Sequence, residues 1–208
     1  MLWVVVLAPA MSFLVHWILV GGRFAARFVT TRTVRNTTLC GLGAAVCVTL
    51  YAVATGRSPA EAALSGESTL SELARDPHAW PVGALIAVLA FKGLAYALCL
   101  GSLRGGPIFP ALFLGGAFGV LLAPLPGLGL VPAMAAGMAA SVTAALRLPV
   151  SSVVLVVLLL GNVDTVALVV IASVVSFVLT QRLPQGPSVP PFGKRPAERA
   201  TTDTPESA

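Results

Sequence analysis

A segment rich in Gly and Pro interrupts one of the most apolar parts of this chain. Residues Gly101 to Gly119 read GSLRGGPIFPALFLGGAFG. Pro107 and Pro110 suit the first turn of a helix, where a missing N–H is tolerated, and a helix that begins here leaves its first backbone N–H groups without carbonyl partners. Those groups, together with the positive pole of the helix dipole, could bind a small anion. A tight turn between two helices that only packs would explain the segment equally well.

The composition around this segment is typical of a membrane protein. Of the 208 residues, 57% are hydrophobic and 10% are charged, whereas a soluble domain carries about 25% charged residues. Between Trp80 and Gln181 the charged side chains are Lys92, Arg104, Arg147 and Asp164. Helices in this region would be apolar on every side, which predicts an all-α, polytopic membrane protein.

Basic residues give the chain a formal net charge of +5, but their positions argue against nucleic-acid binding. They lie beside the apolar segments, at Arg23, Arg27, Arg32, Arg35, Arg182, Lys194, Arg195 and Arg199. Such clusters are typical of cytosolic loops in membrane proteins, so we expect residues 23–35 to form a cytosolic loop. The three cysteines lack the spacing of a metal or CxxC site, and no cofactor is expected.

Apolar segments divide the chain into several membrane helices. They cover residues 2–20, 37–55, 80–100, 108–123, 131–146, 149–160 and 163–181, and the more polar stretch 59–78 reads as an amphipathic or re-entrant piece. Residues 108–123 and 149–160 fall short of the roughly 20 residues that span a bilayer. Short segments that follow Pro or Gly indicate broken helices ending inside the membrane. Residues 184–208 are polar and Pro-rich, and are expected to form a disordered cytoplasmic tail.

Three stretches around the Gly-Pro segment carry a family resemblance. They read FKGLAYALCLGS, GGPIFPALFLGGAFG and AAGMAASVTAALRLPVSSVVLVVLLLGN, the last with Gly137, Met138, Arg147 and Pro149 at matching places. In this order they resemble the helix before the G-x-F-x-P motif, the motif with its own helix, and the next helix pair of CLC chloride channels and chloride/proton antiporters of the bacterial type. The resemblance covers roughly residues 1–190 and is strongest over 88–162.

This resemblance implies chloride transport at the Gly-Pro segment. In the family, helix N-termini converge on a central chloride, and the matching anion-binding residues here would be Gly105, Gly106, Pro107, Ile108, Phe109 and Pro110. Pro107 occupies a position that donates an N–H in well-known members, so Ile108 and Phe109 are the donors expected here. Lys92 and Arg104 could attract anions towards the segment, or could extend to the membrane interface.

The family pattern also implies a homodimer whose subunits each have a pore built from two inverted halves. The G-S-G-x-P serine motif and the G-[KR]-E-G-P glutamate motif of the first half do not occur in this sequence, and LPQGPSVPPFG after the last span has no pore tyrosine. Residues 1–183 are therefore expected to form a partial transmembrane domain that resembles the second inverted half.

The function expected from this resemblance is chloride transport across the cell membrane, by a voltage-gated CLC channel, an antiporter, or the C-terminal half of one. The alternative is a pore-less structural or regulatory membrane subunit, or an inactive truncated fragment. The expected partners are chloride, the lipid bilayer, a second copy of the chain and a separate N-terminal half, and no nucleic acid. No enzyme is expected, because His16 and His78 are far apart in sequence and neither HExxH nor GxSxG occurs.

Overall fold

The computed structural model describes residues 2–63, 66–76, 80–103 and 106–184, and the regular elements within these ranges are all helical. In chain order the helices are α1 (Leu2–Thr31), α2 (Thr33–Thr55), α3 (Ala60–Ala63), α4 (Glu67–Arg75), α5 (Val82–Ser102), α6 (Ile108–Leu122), α7 (Leu130–Leu146), α8 (Pro149–Leu160) and α9 (Val166–Arg182). The predicted all-α class is confirmed. Apart from Pro184, the predicted tail lies outside the described residues.

The helices fall into two length classes. Helices α1, α2 and α5 are long and apolar enough to cross a membrane. Helix α6 has 15 residues and α8 has 12, which correspond to about 22 and 18 Å at 1.5 Å per residue. Both are shorter than the roughly 30 Å hydrocarbon core of a bilayer. The short segments predicted near 108–123 and 149–160 are confirmed as separate short helices.

The basic stretch 23–35, expected as a loop, is almost entirely helical. Helix α1 continues to Thr31, and α2 starts two residues later, after a break at Arg32 with φ −146° and ψ 85°. The side-chain amide of Asn36 donates to the carbonyl of Phe28 at 2.6 Å and to the hydroxyl of Thr31 at 2.9 Å, joining the two helix ends. Arginine is a good helix former, so its positive charge gave no reason to end the helix.

The distribution of polarity is that of a protein in lipid. Large apolar side chains such as Trp17 (68% exposed) and Leu158 (77% exposed) lie on the outside. Hydroxyl groups lie inside: Ser12 donates to Ser176 at 2.8 Å, and Ser176 donates to the carbonyl of Ala140 at 2.7 Å, which links α1, α9 and α7. Hydrogen bonds of this kind hold helices together where lipid removes the hydrophobic drive. The chain is a multi-pass membrane protein.

Helix α6 is held by a close antiparallel contact with α7. A methyl group added at Gly115 would overlap the carbonyl oxygen of Gly137, and one added at Gly119 would overlap that of Ala133. The two backbones approach this closely only because glycine has no side chain. Helix α7 is buried along most of its length, so α6 packs against the centre of the molecule.

Candidate anion-binding site

The predicted anion-binding segment forms the first turn of α6. Pro107 precedes the helix with φ −78° and ψ −12°, and its carbonyl accepts a bond from the N–H of Ala111 at 3.4 Å. Helix geometry gives the N–H groups of Ile108 and Phe109 no intrahelical acceptor, and Pro110 has no N–H. The first turn therefore offers two backbone donors, from the residues that the sequence singled out. Gly105 lies outside the described residues.

Two hydroxyl groups on neighbouring helices hold the start of α6. The hydroxyl of Tyr96 on α5 donates to the carbonyl of Pro107 at 3.1 Å. The hydroxyl of Ser141, fully buried on α7, donates to the carbonyl of Ala111 at 2.6 Å. Both bonds use carbonyls of the first turn, so they hold its position without using its N–H groups.

The contact with Tyr96 shows that α6 starts beside the middle of α5 and not at its C-terminal end. Helix α5 continues six residues beyond Tyr96, to Ser102, which corresponds to about 9 Å along the helix axis. The start of α6 therefore lies beside α5 and not beyond its end. If α5 crosses the bilayer, the first turn of α6 lies below the membrane surface.

The side chains of the segment leave space for a ligand to approach its backbone. Gly106 is exposed, and a methyl group built on it would meet no atom within 4 Å. Phe109 is 47% exposed, whereas Ile108 is half-buried against the main hydrophobic core. Residues 106–110 are contiguous in sequence, and the structure places them at an accessible helix end.

Three residues near the segment were missed or left undecided by the sequence. Tyr96 and Ser141 did not stand out, although a tyrosine and a serine inside apolar helices were the available signal. For Lys92 the sequence left two roles open, attracting anions or extending to the membrane interface. It is 3% exposed, and its ammonium donates to the backbone carbonyl of Glu61 at 2.7 Å and lies 4.4 Å from the centroid of the Phe113 ring. Its side chain thus stays inside the helix bundle.

The acidic side chain of Glu61, whose backbone carbonyl accepts the bond from Lys92, is itself bonded away from the first turn of α6. The carboxylate of Glu61 is bonded by the guanidinium of Arg57 at 3.0 Å and by the hydroxyl of Tyr51. Within the described ranges, no group of three or more His, Cys, Asp and Glu side chains could hold a metal ion. The arrangement at 106–110 combines backbone donors and a helix dipole, which suits a small anion.

Comparison with known families gives one match. Residues 1–181 match the family model described as Voltage gated chloride channel. The match covers most of the chain and includes the whole segment at the start of α6. No curated protein matches the chain. No solved structure matches it either.

Proposed function

The chain belongs to the voltage gated chloride channel family, and from this premise we propose that it transports chloride across the cell membrane, as a channel or a proton-coupled antiporter. The proposal is supported by one feature above all: α6 begins beside Tyr96, well before the end of α5, and offers the N–H groups of Ile108 and Phe109. We assign the anion-binding segment to Gly105, Gly106, Pro107, Ile108, Phe109 and Pro110.

Backbone donors suit transport because they bind an anion without holding it too tightly. A hydrogen bond to a charged group contributes about 1.5 to 3 kcal/mol, and a helix N-terminus adds about 0.3 to 1 kcal/mol, or more where it is partly buried. Two such donors replace part of the hydration shell that chloride loses. Conduction requires a site that an ion can enter and also leave, so dipoles serve it better than a full positive charge in direct contact.

Chloride efflux from vesicles tests this function. The full chain, purified and reconstituted into liposomes, should release chloride faster than protein-free liposomes when valinomycin carries potassium to balance the charge. Efflux no faster than that of protein-free liposomes would contradict the proposal. Adding a protonophore then distinguishes the two modes, because it changes the flux only if proton movement is coupled to it.

A matched pair of glycine variants tests the assigned segment. Gly106 and Gly83 both have open space around the position of an added Cβ, so the two substitutions are matched in their local surroundings. Gly106→Val should reduce chloride efflux strongly, because the added side chain obstructs approach to the backbone donors. Gly83→Val on α5 should leave efflux unchanged. Equal efflux from both variants would remove 106–110 from the pathway.

We further propose that the protein assembles as a homodimer, as the family implies. Mass measurement of the detergent-solubilised chain by light scattering, with the detergent contribution subtracted, should give twice the mass of one chain. A mass equal to one chain at concentrations used for reconstitution would contradict this assembly.

A further inference from the structure

An open apolar groove lies on the outer surface of the molecule between α1 and α2. It has a volume of about 420 Å³, and Leu98 of α5 is among the residues that line it. Phe24 and Phe28 of α1 and Leu39 of α2 also line it, and each of these three side chains is exposed. Gly43 of α2 adds no side chain to the groove. The space therefore has the chemistry of a hydrocarbon-binding surface.

Three exposed arginines lie at the end of this groove, where α1 passes into α2. Residues three or four positions apart are neighbours on a helix surface. Arg27 therefore lies one turn beyond Phe24 on α1, and Arg35 lies one turn before Leu39 on α2. Arg32 occupies the break between the two helices. The apolar groove thus ends in a cluster of positive charge.

No carboxylate pairs with these three arginines within the part of the chain that the structure describes. The first acidic residue in the sequence is Glu61. Its carboxylate is bonded by Arg57 and by the hydroxyl of Tyr51, at the other end of α2. Arg35 donates to the neutral side chain of Asn36, at 3.5 Å. The cluster therefore suits an anion from outside the described chain.

The start of α2 adds to this positive charge. Its first intrahelical bond runs from the N–H of Asn36 to the carbonyl of Arg32 at 2.9 Å, no side chain caps the helix, and its first turn has no acidic residue. The carbonyl of Phe28 at the end of α1, in contrast, is bonded by the side-chain amide of Asn36 at 2.6 Å. Cationic side chains are unfavourable at the positive pole of a helix. An anion bound beside Arg32 and Arg35 would offset this cost.

We propose that the groove binds an anionic phospholipid, with the phosphate at Arg27, Arg32 and Arg35 and the first part of one acyl chain in the groove. Helices α1 and α2 are both long enough to cross a membrane, so the break between them lies at the membrane surface, where lipid phosphates lie. Residues 21–28 cover about 10 Å along α1, roughly a third of the 30 Å hydrocarbon core. Basic pockets beside membrane helices bind anionic head groups. The proposal does not depend on chloride transport.

Quenching of tryptophan fluorescence by brominated lipids tests the site. Trp17 lies one turn before Gly21, which lines the groove, and is 68% exposed. The full chain is reconstituted in dioleoylphosphatidylcholine with increasing fractions of mid-chain-brominated phosphatidylglycerol or, in parallel, brominated phosphatidylcholine. The quenching that disappears in Trp17→Phe reports the groove. Half-maximal quenching should need a roughly tenfold lower fraction of brominated phosphatidylglycerol than of brominated phosphatidylcholine, and equal fractions would overturn the proposal.

A matched pair of arginine variants separates a site from general surface charge. Arg35→Gln should raise the fraction of brominated phosphatidylglycerol for half-maximal quenching by about fivefold. Arg182→Gln removes the same charge at the exposed end of α9 and should leave that fraction unchanged. Equal shifts in the two variants would show that net charge alone attracts the lipid, which would overturn the site.

A matched pair of glycine variants on α2 tests the acyl chain in the groove. A Cβ added at Gly43 would lie 3.2 Å from a methyl carbon of Leu98, whereas one added at Gly41 would meet no atom within 4 Å. Gly43→Val should therefore fill the groove and abolish the preference for brominated phosphatidylglycerol, and Gly41→Val should retain it. A preference that persists in Gly43→Val would mean that no acyl chain occupies the groove, and would overturn the proposal.

Discussion

Replacing the peptide N–H of Ile108 with an ester oxygen should weaken chloride binding while leaving the course of the backbone intact. The ester is introduced as the α-hydroxy acid analogue of isoleucine, and it removes one donor without adding a side chain. Ile108→Pro also removes the N–H, but a proline disfavours the α conformation of the residue before it. Pro107 has that conformation, with φ −78° and ψ −12°, so the ester is the cleaner change.

The expected magnitude follows from the geometry of the first turn. Because Pro110 has no N–H and Ala111 donates to the carbonyl of Pro107, Ile108 supplies one of the two amides that α6 offers to an anion. A hydrogen bond to a charged partner contributes about 1.5 to 3 kcal/mol. At 1.4 kcal/mol for each factor of ten, the dissociation constant for chloride should rise by roughly 10- to 150-fold.

Isothermal titration of the purified protein with chloride measures this change. An ester at Ala111 is the matched control, because its N–H bonds the carbonyl of Pro107 inside the helix. It should lower the free energy of unfolding while changing the dissociation constant less than about threefold, well below the shift expected at Ile108. Unchanged affinity with the ester at Ile108, in a protein whose parent binds chloride, would mean that the segment is only a turn between helices.

Three further predictions concern the packing and position of α6. Gly119→Ala should lower the free energy of unfolding in detergent by about 1 to 3 kcal/mol relative to Gly83→Ala. The added methyl overlaps the backbone of α7 at Gly119 and meets open space at Gly83. Equal stabilities of the two variants would refute the close contact between α6 and α7. Tyr96→Phe should lower the free energy of unfolding by about 0.5 to 1.5 kcal/mol, since the carbonyl of Pro107 loses one of its two donors and keeps the N–H of Ala111. No loss in denaturant titration would show that the bond is not stabilising. A cysteine at Ile108 should react more slowly with a membrane-impermeant thiol reagent than one at Val34, which is 83% exposed, and equal labelling rates would argue that the start of α6 is an ordinary surface turn.

The sequence by itself determined the class of the protein and the location of its candidate site. Near-absence of charge over a hundred residues allows little other than apolar helices in lipid. Pro107 and Pro149 mark the starts of the short helices α6 and α8, whereas α1 continues through Pro9. The donor pair at Ile108 and Phe109 could also be predicted from the sequence, because it depends on which residues of one turn have an N–H. These features are local along the chain, so composition and spacing specify them.

The tertiary structure alone decided which side chains meet. Helices that are apolar on every side have no polar face to show which surface packs inward, so the bonds from Tyr96 to Pro107 and from Ser141 to Ala111 could not be predicted. Lys92 is the clearest case: its partner carbonyl, on Glu61, lies 31 residues away in sequence. Whether such an ammonium turns inward or reaches the interface depends on the acceptor that folding brings to it.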